Sequence, residues 1–222
     1  METTLTHNLA QKGVQRAVLL GFLVFALAAP AAAHHPLGGA TPETAWHGFL
    51  SGIGHPILGF DHLAFVIAVG VASAFVGLRY AAPAIFIGAT LVGCLAVLNF
   101  GQPFAQLEMM IAASVALIGI MVMSGRSIAT PVYVGLFALA GLFHGGAYAG
   151  AMIGAEPTPI VAYLAGLGIA QYLIAATMTW ITLSAWQASS TAALQPRLAG
   201  AIVAGVGLTF LLEHVEKLAF GV

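Results

Sequence analysis

The 222 residues are 60% hydrophobic and only 6% charged, and their formal net charge is −1. A soluble domain carries about 25% charged residues, so this composition excludes a soluble globular domain and indicates an integral membrane protein. The sequence contains no block of basic residues, which leaves nucleic-acid binding without support. Its single cysteine, Cys94, excludes a disulfide framework within the chain.

The N-terminal residues have the pattern of a secretory signal. Lys12 and Arg16 flank the start of the apolar stretch AVLLGFLVFALAAP, and small residues follow that stretch up to Ala33. A basic start, an apolar centre and small residues at the cleavage site are typical of a signal peptide. We predict a cleaved signal over 1–33 and an extracytoplasmic segment over 34–54. An uncleaved additional helix is the alternative.

Beyond residue 54 the chain alternates long apolar runs with short polar breaks. Each run reaches the roughly 20 residues that a helix needs to cross a bilayer. We therefore predict an all-α integral membrane protein in which 55–222 form a six-helix transmembrane bundle. The predicted spans are 55–77, 80–98, 105–124, 131–150, 158–186 and 197–219. The stretch PETAWHGFLSG is predicted to form a short amphipathic segment before the first span.

The arginines predict the orientation of the bundle. Arg79, Arg126 and Arg197 fall in the loops after the first, third and fifth predicted spans, which all lie on one side of a six-span topology. By the positive-inside rule that side is cytoplasmic. The N-terminus is therefore predicted to be extracytoplasmic, in agreement with an exported signal.

Ionisable residues within the predicted spans concentrate toward the extracytoplasmic side. Such residues are costly inside a membrane and usually mark a functional site. The candidates from the spans are His55, Asp61, His62, Glu108, His144, Glu213 and His214. For a single histidine, hydrogen bonding between packed helices is the competing interpretation. His214, next to Glu213 near the interface, is a candidate whose simpler interpretation is exposure to water.

The geometry of a continuous first helix separates its two histidines. Pro56 suits the first turn of a helix. His55 and His62 would then share a face about 10 Å apart along the axis, too far for both to bind one ion unless His55 folds back. This spacing predicts two separate metal-binding positions, or an entry ligand followed by an inner site. Asp61 is predicted to be a ligand or the partner that orients an imidazole. Imidazole and carboxylate together suit nickel, cobalt, zinc or copper(II).

Further histidines precede the first span. Cleavage after Ala33 would leave a free amine beside His34 and His35, which is a potential metal-binding start. His47 is a potential collecting ligand in the segment before the first span. For the terminal histidines the simpler interpretation is an unstructured tail.

Two motifs carry a resemblance to a known family. GHPILGFDHLAFVIAVG at 54–70, with its HP and DH pairs, and LFHGGAYAG at 142–150 with the following GAEPTPIVAYLAGLGIAQ resemble the HupE/UreJ family of bacterial nickel and cobalt permeases. The resemblance covers essentially the whole mature chain. It implies metal-binding roles for His55, Asp61, His62 and His144, and transport of Ni²⁺ or Co²⁺ across the bacterial cytoplasmic (inner) membrane for hydrogenase or urease maturation.

The second motif departs from the family pattern. Family members often carry a histidine or glutamate shortly after the His-Gly pair, whereas this chain has Tyr148 and Gly150 there, with Glu156 as the nearest carboxylate. This departure puts the identity of the metal and its affinity in question. We hypothesise that Glu108 and Glu213 compensate for the missing ligand.

The resulting interpretation is a permease and not an enzyme, with the transported ion as its only expected metal and no prosthetic group. The sequence contains no nucleotide-binding loop that would support ATP hydrolysis. Two alternatives remain at this stage. One is a metal-binding accessory protein, and the other is an intramembrane metalloenzyme that activates water.

Overall fold

The computed structural model describes residues 40–102 and 106–221, and all regular structure in these ranges is helical. The predicted signal peptide over 1–33, together with His34 and His35, lies outside the described residues. The described chain forms seven α-helices: α1 Ala45–Leu58, α2 Phe60–Ser73, α3 Ala81–Phe100, α4 Leu107–Met123, α5 Thr130–Ala149, α6 Pro157–Trp180 and α7 Leu194–Phe220. A short 3₁₀ helix, Gly150–Met152, follows α5, and a π-helical turn, Ile181–Ala185, extends α6. The prediction of an all-α chain is confirmed.

The first predicted span, 55–77, is wrong as a single straight helix. The structure has two helices there, α1 and α2, which meet at Gly59 with a bend of 80°. Thr44 begins α1 much earlier than predicted, because its side chain accepts a hydrogen bond from the backbone N–H of His47 at 3.1 Å. The predicted amphipathic segment is therefore largely the start of α1.

Pro56 lies in the last turn of α1, whereas the sequence predicts it in the first turn of a helix. It stands two residues before the last residue of α1. Proline lacks the N–H that a helix interior requires, so it weakens the ladder of hydrogen bonds at this point. Gly59 then takes an extended conformation, with φ −80° and ψ 104°, and the chain turns into α2.

The remaining predicted spans correspond to α3 through α7 with shifts of a few residues at their ends. By length and hydropathy, four helical stretches in the described chain can cross a membrane, and a fifth is added if the bent pair α1 and α2 counts as one span. Helix α4 is apolar but only 17 residues long. Several apolar helices of this kind characterise a multi-pass membrane protein.

Helix α2 lies in the interior of the bundle. It packs against α1 and α3 through α7, and most of its residues are buried, including the fully buried Phe65, Val66, Val69 and Val71. A helix that is apolar on every side belongs in a protein core. The start of α2, with Asp61 and His62, is therefore held deep among the other helices.

Around α2, the helices pack most closely in three pairs: α1 with α6, α3 with α5, and α4 with α7. Glycines line each contact, so that the backbones approach one another directly. In α7, a β-carbon added at Gly207 would lie 2.2 Å from the backbone nitrogen of Ala116, whereas one added at Gly205 would meet no atom within 4 Å.

This contrast predicts opposite effects for two substitutions in one helix. Gly207→Ala is expected to lower the thermal unfolding midpoint of the detergent-solubilised protein, because overpacking of this kind costs about 1–3 kcal/mol. Gly205→Ala is the matched control and should leave the midpoint unchanged or raise it, since alanine favours helix by about 1 kcal/mol. Equal midpoints for the two variants would contradict the described packing of α4 against α7.

Candidate metal centre

The bend at Gly59 brings His55 and His62 together. His55 lies near the end of α1 and His62 in the first turn of α2, and their ring centroids are 5.9 Å apart. The prediction of a continuous helix, and with it the separation of about 10 Å, is wrong, because the helix breaks between the two residues and His55 folds back toward His62. A side chain at Gly59 would force the His62 ring to shift, since a β-carbon there would lie 2.7 Å from Cδ2 of His62.

His144 joins this pair from α5. Its Nδ1 lies 3.0 Å from Nδ1 of His62, and its side chain is fully buried. The rings of Phe65 and Phe86 pack around the imidazole, with centroids 4.5 and 5.7 Å away. The two motifs recognised in the sequence therefore meet through a direct contact between their histidines.

Ser114 of α4 holds the other side of His144. The serine Oγ lies 3.1 Å from Nε2 of His144 and donates its proton to the carbonyl oxygen of Ile111 at 2.7 Å. Nothing in the sequence distinguishes this serine as a site residue, because its neighbours in the chain are all apolar. Its role follows only from the contact between α4 and α5.

Two tyrosines complete the surroundings of His55. The Tyr163 hydroxyl lies 2.8 Å from Nδ1 of His55 and donates to the carbonyl oxygen of Tyr148 at 2.9 Å. The Tyr148 ring packs against both histidines, with centroids 4.9 Å from His55 and 4.3 Å from His62. Tyr148, which the sequence marks only as a departure from the family motif, thus forms a wall of the cluster.

Asp61 is 5% exposed and lies beside His62 in the first turn of α2. Its Oδ1 accepts a hydrogen bond from the backbone N–H of His62 at 2.8 Å. The first turn of a helix stabilises a negative charge, because its N–H groups have no partners within the helix. This bond explains how a carboxylate is held at the break, and it uses one of the two oxygens.

Three buried polar atoms near the cluster make no hydrogen bond to the described residues: the hydroxyl of Tyr148 and both side-chain polar atoms of Gln171. The Gln171 side chain interacts with the Tyr148 hydroxyl without reaching the distance and angle of a full hydrogen bond, and the Asp61 carboxylate acts on the same hydroxyl. Buried polar groups without partners cost about 1–3 kcal/mol each. The Tyr148 hydroxyl and the Gln171 amide are therefore available to form hydrogen bonds with water or with a polar ligand.

The other candidates lie at accessible positions. His47 is exposed near the start of α1, Glu108 in the first turn of α4, Glu156 at the N-cap of α6 and Glu213 near the end of α7. His214 is partly buried, and its Nδ1 is 2.7 Å from the carbonyl oxygen of Phe210. The hydrogen bonds and ring contacts given above join His55, His62 and His144, with Asp61 alongside.

Across the described part of the chain, no three His, Cys, Asp or Glu side chains form a ready-made metal site. His62 and His144 are joined by a hydrogen bond between their Nδ1 atoms, so these two nitrogens are not arranged around a shared ion. The centre can present nitrogen and oxygen donors of the type that borderline divalent ions prefer. It is not a preassembled cage for such an ion.

The regular structure of the described residues is entirely helical, with several apolar helices around a buried centre of imidazoles and a carboxylate, and this architecture belongs to the class of multi-pass membrane proteins. Residues 22–210 match the family described as HupE / UreJ protein, and the chain belongs to that family. This finding confirms the resemblance carried by the two sequence motifs.

One relative is Protein HupE of Rhizobium leguminosarum bv. viciae, which is 31% identical over 122 residues. The matched region covers 54% of this chain and 61% of that protein. No solved structure matches the chain.

Proposed function

We propose that this protein is a permease that carries divalent transition-metal ions, nickel first and cobalt second, across the bacterial cytoplasmic membrane. The observation that carries the proposal is the meeting of His55, Asp61, His62 and His144 at a helix break inside an apolar bundle. Ionisable residues at such a position are costly to bury and are kept there for function. Membership of the HupE/UreJ family supports hydrogenase or urease maturation as the destination of the ion.

The proposed topology has six spans. The bent pair α1 and α2 forms the first span, and α4, although short, forms the third. Broken helices are tolerated at membrane depth where they are enclosed by protein or line a cavity, and α2 is enclosed by its neighbours. We propose that the signal over 1–33 is removed, that the N-terminus is extracytoplasmic, and that the arginine-bearing loops face the cytoplasm.

In the proposed mechanism, imidazole nitrogens and the Asp61 carboxylate replace part of the water shell of the entering ion. Transport requires binding that is strong enough to admit the ion and weak enough to release it. A centre without a preassembled set of three ligands suits such transient binding. The buried amide of Gln171 and the hydroxyl of Tyr148, which make no hydrogen bond to the described residues, offer further oxygen contacts beside the cluster.

The exposed carboxylates have a separate proposed role. Glu108, Glu156 and Glu213 would attract cations at the accessible ends of α4, α6 and α7. His47 and His214 would add weak contacts at the same surface, and His34 and His35 would do so from the mature N-terminus. Because exposed charges act through a screening solvent, each of the three carboxylates is expected to contribute less than the buried cluster.

Uptake of radiolabelled nickel tests the proposal. Cells that express the protein should accumulate nickel above cells that carry an empty vector, and an excess of unlabelled cobalt should reduce that uptake. The amount of protein in the membrane must be matched between samples. Saturable binding of nickel to membranes without accumulation inside cells would instead support an accessory metal-binding protein.

A further inference from the structure

The proton of the Ser114 hydroxyl determines the state of His144. A serine hydroxyl has one proton, and that proton is donated to the carbonyl oxygen of Ile111 at 2.7 Å. The Oγ of Ser114 can therefore only accept in its 3.1 Å contact with Nε2 of His144. It follows that His144 carries a proton on Nε2.

The state of His144 in turn determines the state of His62. A neutral imidazole has one N–H, so His144 with its proton on Nε2 has a lone pair on Nδ1. The apolar rings of Phe65 and Phe86 around His144 suit this uncharged form. Nδ1 of His62, 3.0 Å away, must then donate, and a neutral His62 has its lone pair on Nε2.

We infer that Ser114 and His144 are positioning residues, and that Nε2 of His62 is the nitrogen that this relay presents to a divalent cation. The relay runs from Ile111 through Ser114 and His144 to His62, and it fixes both the orientation and the tautomer of the His62 ring. Metal-binding histidines commonly donate their second N–H to a fixed acceptor in this way. The cation part of the inference rests on the proposed function, whereas the relay itself does not.

His62 and His144 therefore have different roles toward the ion. His144 would act through His62 and would not contact the ion, although the family resemblance implies a metal-binding role for it. Loss of the Ser114 hydroxyl would leave the Nε2 proton of His144 without an acceptor. The pair could then shift its protons, so that His144 carries one on Nδ1 and His62 carries one on Nε2. Nε2 of His62 would no longer offer a lone pair.

Nitrogen NMR of histidine-labelled, metal-free protein tests the relay. We expect His62 to be protonated at Nδ1 and His144 at Nε2 in the wild type. Ser114→Ala should change both signals, and Ser114→Thr, which keeps a hydroxyl, should restore them. Ser73→Ala is the matched control, because Ser73 is also a buried serine but its Oγ makes no hydrogen bond to the described residues. A His62 protonated at Nε2 in the wild type, or signals unaffected by Ser114→Ala, would overturn the relay.

X-ray absorption of the nickel-loaded protein tests the division of roles. His62→Ala should remove one imidazole from the coordination shell, and His144→Gln should remove none. Ser114→Ala should weaken nickel affinity by about 10- to 100-fold, as loss of supporting contacts does at other metal sites. Loss of an imidazole in His144→Gln would show that His144 is a ligand and overturn the inference. A wild type that binds no nickel would overturn the proposed function and the cation part, whereas the NMR result would still decide the relay.

Discussion

His62→Ala is expected to abolish nickel uptake by cells at an unchanged level of protein in the membrane. His62 lies at the centre of the cluster: its ring contacts His55, His144 and Tyr148, and its backbone N–H holds Asp61. Alanine removes the imidazole and leaves the buried Nδ1 of His144 without its partner. Loss of merely supporting groups already costs metal sites about 10- to 100-fold, so loss of His62 itself should reduce uptake to the level of cells that carry an empty vector.

The control for this substitution is His47→Ala, which removes an exposed imidazole from α1. Its uptake should stay close to that of the wild type. Thermal unfolding of both variants in detergent separates a loss of transport from a loss of folding. Equal uptake by the wild type and a folded His62→Ala protein would mean that the His-Asp cluster is structural.

Asp61→Asn is expected to reduce nickel uptake by at least about tenfold while the fold is retained. Asparagine keeps an oxygen that can accept the 2.8 Å hydrogen bond from the N–H of His62, so the start of α2 should still form. What the substitution removes is the negative charge beside the histidines. The measurement is the same uptake assay, accompanied by a comparison of thermal unfolding midpoints.

Glu213→Gln makes the same chemical change at an exposed position of α7 and is the matched control. We expect its uptake to fall by less than about twofold, since exposed charges contribute little. If Asp61→Asn transports as well as the wild type, Asp61 serves only to stabilise the first turn of α2. If Glu213→Gln is the more damaging substitution, the exposed carboxylates and not the buried cluster control entry of the ion.

The sequence predicts the helices well because continuous apolar runs leave the backbone few alternatives in a bilayer. The helices α3 to α7 begin and end within a few residues of the predicted spans. The prediction of the first span as one straight helix fails, because an apolar run of adequate length does not reveal a break inside it. Pro56 is compatible with either end of a helix, and only the packed structure shows that α1 begins at Ala45 and that Gly59 turns the chain.

Of the candidate metal centre, too, the sequence predicts one part and misses another. His55, Asp61, His62 and His144 could be selected from the sequence because charged or ionisable groups stand out in apolar surroundings. Ser114 and Tyr163 could not, since a serine or tyrosine in a membrane helix usually serves packing. Their positions beside His144 and His55 depend on how α4 and α6 pack. Glu108 stands beside an apolar run in the sequence, yet it is exposed at the start of α4.

Flux of nickel into sealed vesicles that contain only the purified protein tests the central claim most directly. We predict that wild-type protein admits Ni²⁺ to a dye inside the vesicles, that His47→Ala does so equally, and that His62→Ala does so no faster than protein-free vesicles. Nickel that binds to the wild-type protein but never reaches the vesicle interior would contradict the claim that this protein is a permease.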